Sequence, residues 1–199
     1  MTFSVETFFS IPVMFDTIND SIVNNSRLLA KQFIDENNWL ASVNKKTITT
    51  YHSDTELNYL GKIEDTSLLT EINTKARDFL QLIGLDHELD LRIESWLNVN
   101  TPGTYHDQHE HFGAILGGVV YLEASSDSGD LLFHDPVKVR TQANVLTKKN
   151  RITNNKFNYQ IIRSTPATGK FVLFESWITH SVEINNSSND RISIAFNIY

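Results

Sequence analysis

From Leu89 onward the chain is made of short apolar runs with period two, cut by Gly, Asp, Ser and Asn. Leu91–Asn100 alternates, and Ile115–Glu123, Asp130–His134, Gly169–Glu175 and Arg191–Tyr199 follow. Residues two apart share one face of a strand. Many short strands with turn signals close into a barrel or sandwich, because an open sheet leaves edges unpaired. Upstream, a strand is expected near Thr7–Phe15. A helix is expected from about Asn19 to Glu36, with Ile22, Leu28, Leu29 and Phe33 at helical spacing and Asp20 or Ser21 as its cap. A second helix over Ser67–Ile83 places Leu68, Leu69, Ile72, Ala76, Leu80 and Ile83 near one face and stops at Gly84. Residues 40–65 are polar and carry no regular pattern. The expectation is a mainly β fold with flanking helices, as a single domain over 1–199. Its barrel core spans about 89–199, with helical support over about 1–88.

A chain of 199 residues without cysteine can build a core but no disulfide, thiolate zinc site, iron–sulfur cluster or cysteine nucleophile. Any metal must sit on His, Asp or Glu. The first residues lack a basic segment of secretory type, and no apolar run reaches the roughly 18 residues needed to span a bilayer, so a cytoplasmic protein is expected. A formal charge of −7 argues against nucleic acid as a partner. The charge is uneven. Between Pro136 and Pro166 lie seven basic residues (Lys138, Arg140, Lys148, Lys149, Arg151, Lys156 and Arg163) and no acid. This cationic stretch interrupts the strands and reads as an inserted loop or long hairpin.

The seven histidines are concentrated in Tyr105-His-Asp-Gln-His-Glu-His111. On a strand, His109 and His111 point to the same side, which makes half of a metal site. His180 lies far along the chain, but a barrel brings distant strands together. A solvated His-rich loop is the plain alternative for the pair alone. Eleven residues past His180 comes Arg191-Ile-Ser193, where Arg191, Ser193 and Asn197 share one face and Ile192, Ile194 and Phe196 the other. A cation inside a small barrel is costly unless paired, and a bound carboxylate suits the planar fork of Arg with a hydroxyl beside it. A structural Arg bridged to an acidic neighbour is the alternative for that residue taken alone.

These residues together resemble the iron(II)/2-oxoglutarate-dependent oxygenase superfamily over roughly 89–199, and most of all a bacterial and phage subfamily. The stretches in question are Trp96–Gly103, Tyr105–His111, Gly117–Tyr121, Phe133–Pro136, Phe174–Val182 and Arg191–Asn197. The resemblance implies a double-stranded β-helix (a jelly roll, cupin-like). It implies Fe(II) on His109 and His180, with Arg191 and Ser193 gripping the far carboxylate of 2-oxoglutarate. Tyr121 falls where a carboxylate-binding tyrosine is found, Asn98 and Asn100 where the cosubstrate pocket is lined, and Tyr105 where an aromatic is common. The superfamily usually has a carboxylate two residues after the first His, and this chain has His111. Three readings are open: His111 is the third ligand; a carboxylate such as Asp135, Glu110 or Asp107 supplies it; or two protein ligands suffice. Strand geometry favours the first. The implied activity is a dioxygenase, by default a hydroxylase, consuming O₂ and 2-oxoglutarate to oxidise an unidentified substrate, with no protein general base. Halogenation fits poorly, because His111 fills the position that a halogenase leaves open. A cupin-type three-His enzyme without 2-oxoglutarate is the alternative. Gly103 followed by His109-x-His111 matches its first motif, but the motif's Glu is missing at 115 and 116 and Arg191 would have no task. A metal-free binding barrel is the non-enzymatic alternative.

Overall fold

The computed structural model describes residues 10–36, 47–52, 58–137 and 159–199. Its strands are β1 (Val13–Thr17), β2 (Thr47–Thr49), β3 (Ile93–Asn100), β4 (His106–His109), β5 (Leu116–Glu123), β6 (Leu131–His134), β7 (Ile161–Ser164), β8 (Lys170–Glu175), β9 (His180–Val182) and β10 (Arg191–Ile198). The helices are α1 (Asp20–Glu36), α2 (Tyr59–Lys62) and α3 (Thr66–Leu82). A six-stranded sheet runs β1-β8-β5-β10-β3-β2 and a four-stranded sheet β4-β9-β6-β7. The ladders within both are antiparallel. Tyr121, Val172 and Phe174 of the large sheet pack with Leu131, Phe133 and Ile178 between the two sheets.

The five strands expected downstream of residue 89 appear as β3, β5, β6, β8 and β10, each within about two residues of its expected bounds, and β4, β7 and β9 add to them. The first strand begins at Val13, later than expected, and positions 1–9 lie outside the described residues. Helix α1 has the expected span but a different cap and face. Asn19 caps it, its Oδ1 accepting from the Ser21 N–H at 2.9 Å. The buried positions are Val23, Ser26, Ala30 and Ile34, and Leu28 is 67% exposed. Ile22 and Phe33 of the expected face pack half-buried against the core, and beside them the Ser26 hydroxyl donates to the buried carboxylate of Asp65, the residue that caps α3 through the Leu68 N–H. Helix α3 keeps its expected face, with Leu68, Ile72, Ala76, Phe79 and Leu80 buried. It closes with the Leu85 N–H on the Leu80 carbonyl, just after Gly84.

These helices cover one face of the large sheet. Leu97, Val99, Ile192, Ile194, Phe196 and Ile198 of β3 and β10 join Val23, Ile34, Leu68, Ile72 and Phe79 in one apolar core. Each such side chain contributes roughly 1.5–3 kcal/mol. Closeness in this layer fixes Gly118 of β5, because a Cβ there would lie 2.3 Å from the Phe196 ring and 2.8 Å from the Val172 carbonyl oxygen. The opposite face of the same strands looks towards the small sheet. Of the basic stretch, 138–158 lies outside the described residues, and with it Lys138, Arg140, Lys148, Lys149, Arg151 and Lys156. Its flanks form the antiparallel pair β6–β7, with His134 opposite Ile161, so the insertion leaves and re-enters through adjacent strands.

Candidate metal centre

A cavity of about 80 Å³ opens between the sheets, lined at one end by His109, His111 and His180 and at the other by Arg191, Tyr121, Ser193, Asn98 and Asn100. The three imidazoles converge, with one ring nitrogen from each within 4.8 Å of the others. Nε2 of His111 and Nε2 of His180 are 3.3 Å apart. Two donors on adjacent corners of an octahedron with bonds of about 2.1 Å sit roughly 3 Å apart, so the spacing suits a first-row metal.

Different elements deliver the three rings. His109 ends β4 and pairs with His180, which starts β9. His111 lies beyond the strand, so alternation along β4 does not aim it. The bond from its N–H to the Ser176 carbonyl, 3.0 Å, fixes that part of the chain. His109 Nδ1 bonds the Asp107 carbonyl at 2.7 Å and His180 Nδ1 the Ile178 carbonyl at 2.8 Å. A carbonyl only accepts, so both rings carry their proton on Nδ1 and leave Nε2 bare. Burial, aided by nearby imidazoles, pulls the His111 pKa down to about 4 and that of His180 to about 3. Neutral lone-pair donors are what a metal requires.

No carboxylate among the described residues belongs to this group. Glu110 accepts from the Thr179 hydroxyl, Asp135 from the Val137 N–H at 3.0 Å, and Asp107 is exposed. The group that could hold a metal here is all imidazole, and such a set fits iron.

At the far end Arg191 is 2% exposed, and no carboxylate among the described residues is within salt-bridge distance of it. One terminal NH group donates to the carbonyls of Ser128 and Gly129, at 2.9 and 3.0 Å, and Nε has no partner. Gly129 is required at that turn. Its φ is +96°, and a Cβ would meet the Glu183 carbonyl oxygen at 2.3 Å. Burial pushes the Tyr121 hydroxyl up to about 12, so it stays protonated as a donor beside Arg191. Asn98 Oδ1 is likewise buried without a partner. An unpaired buried cation flanked by hydroxyls and amides fits an incoming carboxylate.

Two further lining residues stand beside those expected from the sequence, and alternation along β3 accounts for only one of them, Trp96. His106 reaches the cavity and accepts from the Asn100 amide at 2.9 Å, although it lies an odd three positions from His109. A register shift in β4 between these two alters the parity of the strand, and nothing in the sequence marks that bulge. Trp96, whose ring centroid is 5.8 Å from that of His111, lies at the metal end. Tyr105 stands outside the cavity, 55% exposed, in a neighbouring groove.

Three converging imidazoles facing a buried guanidinium, between two antiparallel sheets, define a metal-dependent protein of the double-stranded β-helix class. The family described as "Putative 2OG-Fe(II) oxygenase" matches residues 94–197, just over half of the chain, and the protein belongs to that family. It is therefore an oxidoreductase that works with iron(II), 2-oxoglutarate and O₂. A search among curated proteins found no match. Among solved structures, a prolyl-4-hydroxylase of Pseudomonas putida is similar at 13% identity and a TM-score of 0.63, covering 95% of this chain and 92% of that one. SnoK, an α-ketoglutarate-dependent carbocyclase from nogalamycin biosynthesis, is similar at 14% and 0.62, over 94% and 79%. HygX from Streptomyces hygroscopicus, solved with nickel and 2-oxoglutarate bound, is similar at 11% and 0.56, over 94% and 82%. At such identities the likeness concerns the fold.

Proposed function

We propose that the protein is a hydroxylase whose iron is held by His109, His111 and His180 and whose 2-oxoglutarate is held by Arg191, Ser193, Tyr121 and Asn100. The observation behind this is one cavity with three converging imidazoles at one end and a buried guanidinium that no carboxylate among the described residues pairs at the other. When bound, the iron supplies the activation of O₂ that oxidises both the cosubstrate and the substrate. The protein binds and orients. Arg191 neutralises a carboxylate, the Tyr121 and Ser193 hydroxyls donate to it, and Asn98 and Asn100 lie along the path towards the metal. No side chain needs to act as a general base.

A volume of about 80 Å³ corresponds to roughly five to eight water-sized sites, enough for a small dicarboxylate and little more. The substrate therefore meets the metal from the solvent side, where His109 is exposed. Its identity lies with groups around that mouth, and the formal charge of −7 points away from nucleic acid. The apolar core shared by α1, α3 and the large sheet supports taking 1–199 as one domain. No helix among the described residues is long and apolar enough to cross a membrane. A cytoplasmic setting, where reduced species are maintained, goes with a ferrous centre.

Conversion of 2-oxoglutarate to succinate, in the absence of substrate but with Fe(II) and O₂, tests the proposal. Wild type is expected to turn over slowly, and His180→Ala to lose both turnover and Fe(II) binding. Equal Fe(II) affinity in the two proteins would remove the metal site. Metal binding without any dependence on 2-oxoglutarate would favour the cupin-type alternative.

A further inference from the structure

We infer that Asn197 is the positioning residue of the third ligand, fixing the proton of His111 on Nδ1 so that Nε2 faces the metal; this rests on His111 being a ligand. A neutral imidazole has one N–H, and whichever nitrogen binds a metal must be bare. For His109 and His180 backbone carbonyls decide the matter. His111 has no carbonyl at its Nδ1. The group there is the side-chain amide of Asn197, 3.5 Å away. Its Nε2 already converges with Nε2 of His180. The Nδ1 must then carry the proton, and its neighbour must accept.

The amide of Asn197 stands with its NH₂ towards His111 and towards the Tyr199 hydroxyl, also 3.5 Å away. Its Oδ1 is buried and has no partner, and the residue is 6% exposed. Rotating the amide by a half turn exchanges two atoms of nearly equal size. Oδ1 then accepts from His111 Nδ1–H and the buried acceptor is satisfied, while the Tyr199 hydroxyl keeps donating its proton to Glu94. The position is held firmly, because Asn197 lies within β10, opposite Glu94 of β3 and Gly117 of β5. A side chain thus does for the ligand beyond the strand what main-chain carbonyls do for the other two.

Titration of the metal-free protein with Co(II), followed by its visible absorption and by competition with a chelator, tests this without turnover. Asn197→Leu is expected to weaken Co(II) binding about 10- to 100-fold. Asn197→Asp, which keeps an acceptor oxygen, is expected to stay within about threefold of wild type. In a His111→Ala background, Asn197→Leu is expected to have no further effect. Equal losses from Asn197→Leu in both backgrounds, or no loss in either, would overturn the inference while leaving His111 as a ligand. An unchanged affinity in His111→Ala would instead overturn the ligand assignment itself. Should Asn197→Leu fail to fold, ¹⁵N spectra of the zinc-loaded wild type decide the question. A protonated Nδ1 on His111, lost from the slow-exchanging set in Asn197→Ala, is expected, and a metal-bound Nδ1 would refute the assignment.

Discussion

The two faces of strands β3 and β10 are equally inaccessible to water and opposite in character. Towards the helices stand Leu97, Val99, Ile192, Ile194 and Phe196, at most 5% exposed. Towards the cavity stand Asn98, Asn100, Arg191, Ser193 and Asn197, at most 7% exposed. Burial does not tell the faces apart; the satisfaction of polar groups does. The apolar side chains of the first face lower the free energy of the fold, and Ser95 among them is satisfied by the Leu60 N–H. The other leaves Arg191 Nε and Asn98 Oδ1 without partners, each a cost to stability of roughly 1–3 kcal/mol. A sheet keeps such a face when something other than the fold completes it. The difference separates what holds this protein together from what it does.

The largest expected effect comes from swapping the character of one face at a time. Arg191→Met should weaken 2-oxoglutarate binding to the Fe(II)-loaded protein on the order of 100- to 1,000-fold, since the partner carboxylate would be left in a dry pocket. The same change should leave the stability of the metal-free protein unchanged or raised, because an unpaired buried cation is removed. Anaerobic calorimetry and urea unfolding read the two quantities. A protein that unfolds on this substitution would place Arg191 among the structural residues and break the comparison. On the other face, Ile194→Ala should cost about 2–5 kcal/mol of stability while the folded fraction binds 2-oxoglutarate within about twofold of wild type.

The apolar face was also the legible one. Period-two hydrophobicity placed β3, β5, β8 and β10, and helical spacing placed α3, because burial there repeats with the geometry of the backbone. The two halves of the candidate site were read differently. Arg191 and Ser193 share a face by simple alternation, and the structure lines the cavity with both. His109, His111 and His180 come together as expected, yet by another route. His111 is set by the bond to Ser176 beyond the end of β4, and His106 enters through a bulge. Contacts between residues distant in sequence decide both, and the Ser26–Asp65 bond beside α1 is another of that kind. None of these leaves a periodic trace.

Packing on the helix face predicts a smaller effect at Gly118. Alanine there pushes a methyl group into the Phe196 ring and the Val172 carbonyl, and neither can withdraw far inside a filled core. A loss of about 1–3 kcal/mol follows. The matching change on the cavity side, Ser193→Ala, removes a hydroxyl without filling space and should alter 2-oxoglutarate affinity more than the urea midpoint. Equal and large stability losses from the two would erase the distinction between the faces.

The smallest effect is a matter of pH, and it too belongs to the cavity face. Burial, with the charge of Arg191 adding to it, lowers the His106 pKa to about 4. In the unfolded chain the ring titrates near 6.5. Above about pH 6.5 neither state binds the proton, and this group adds no pH dependence. As pH falls from about 6.5 to 4, the unfolded chain takes up a proton that the folded protein refuses, so stability declines across that window. Below about 4 both states are protonated and the decline from this residue ends. Urea midpoints of the metal-free protein at several pH values between 7.5 and 4.5 measure the slope. His106→Gln keeps a polar group beside Asn100 but cannot titrate, so its slope should be the shallower one. The ordinary carboxylates and the other imidazoles titrate in both proteins and cancel in the difference. An identical slope would mean that His106 is hydrated in the folded state, and the cavity would then be wetter at the Arg191 end than its lining implies.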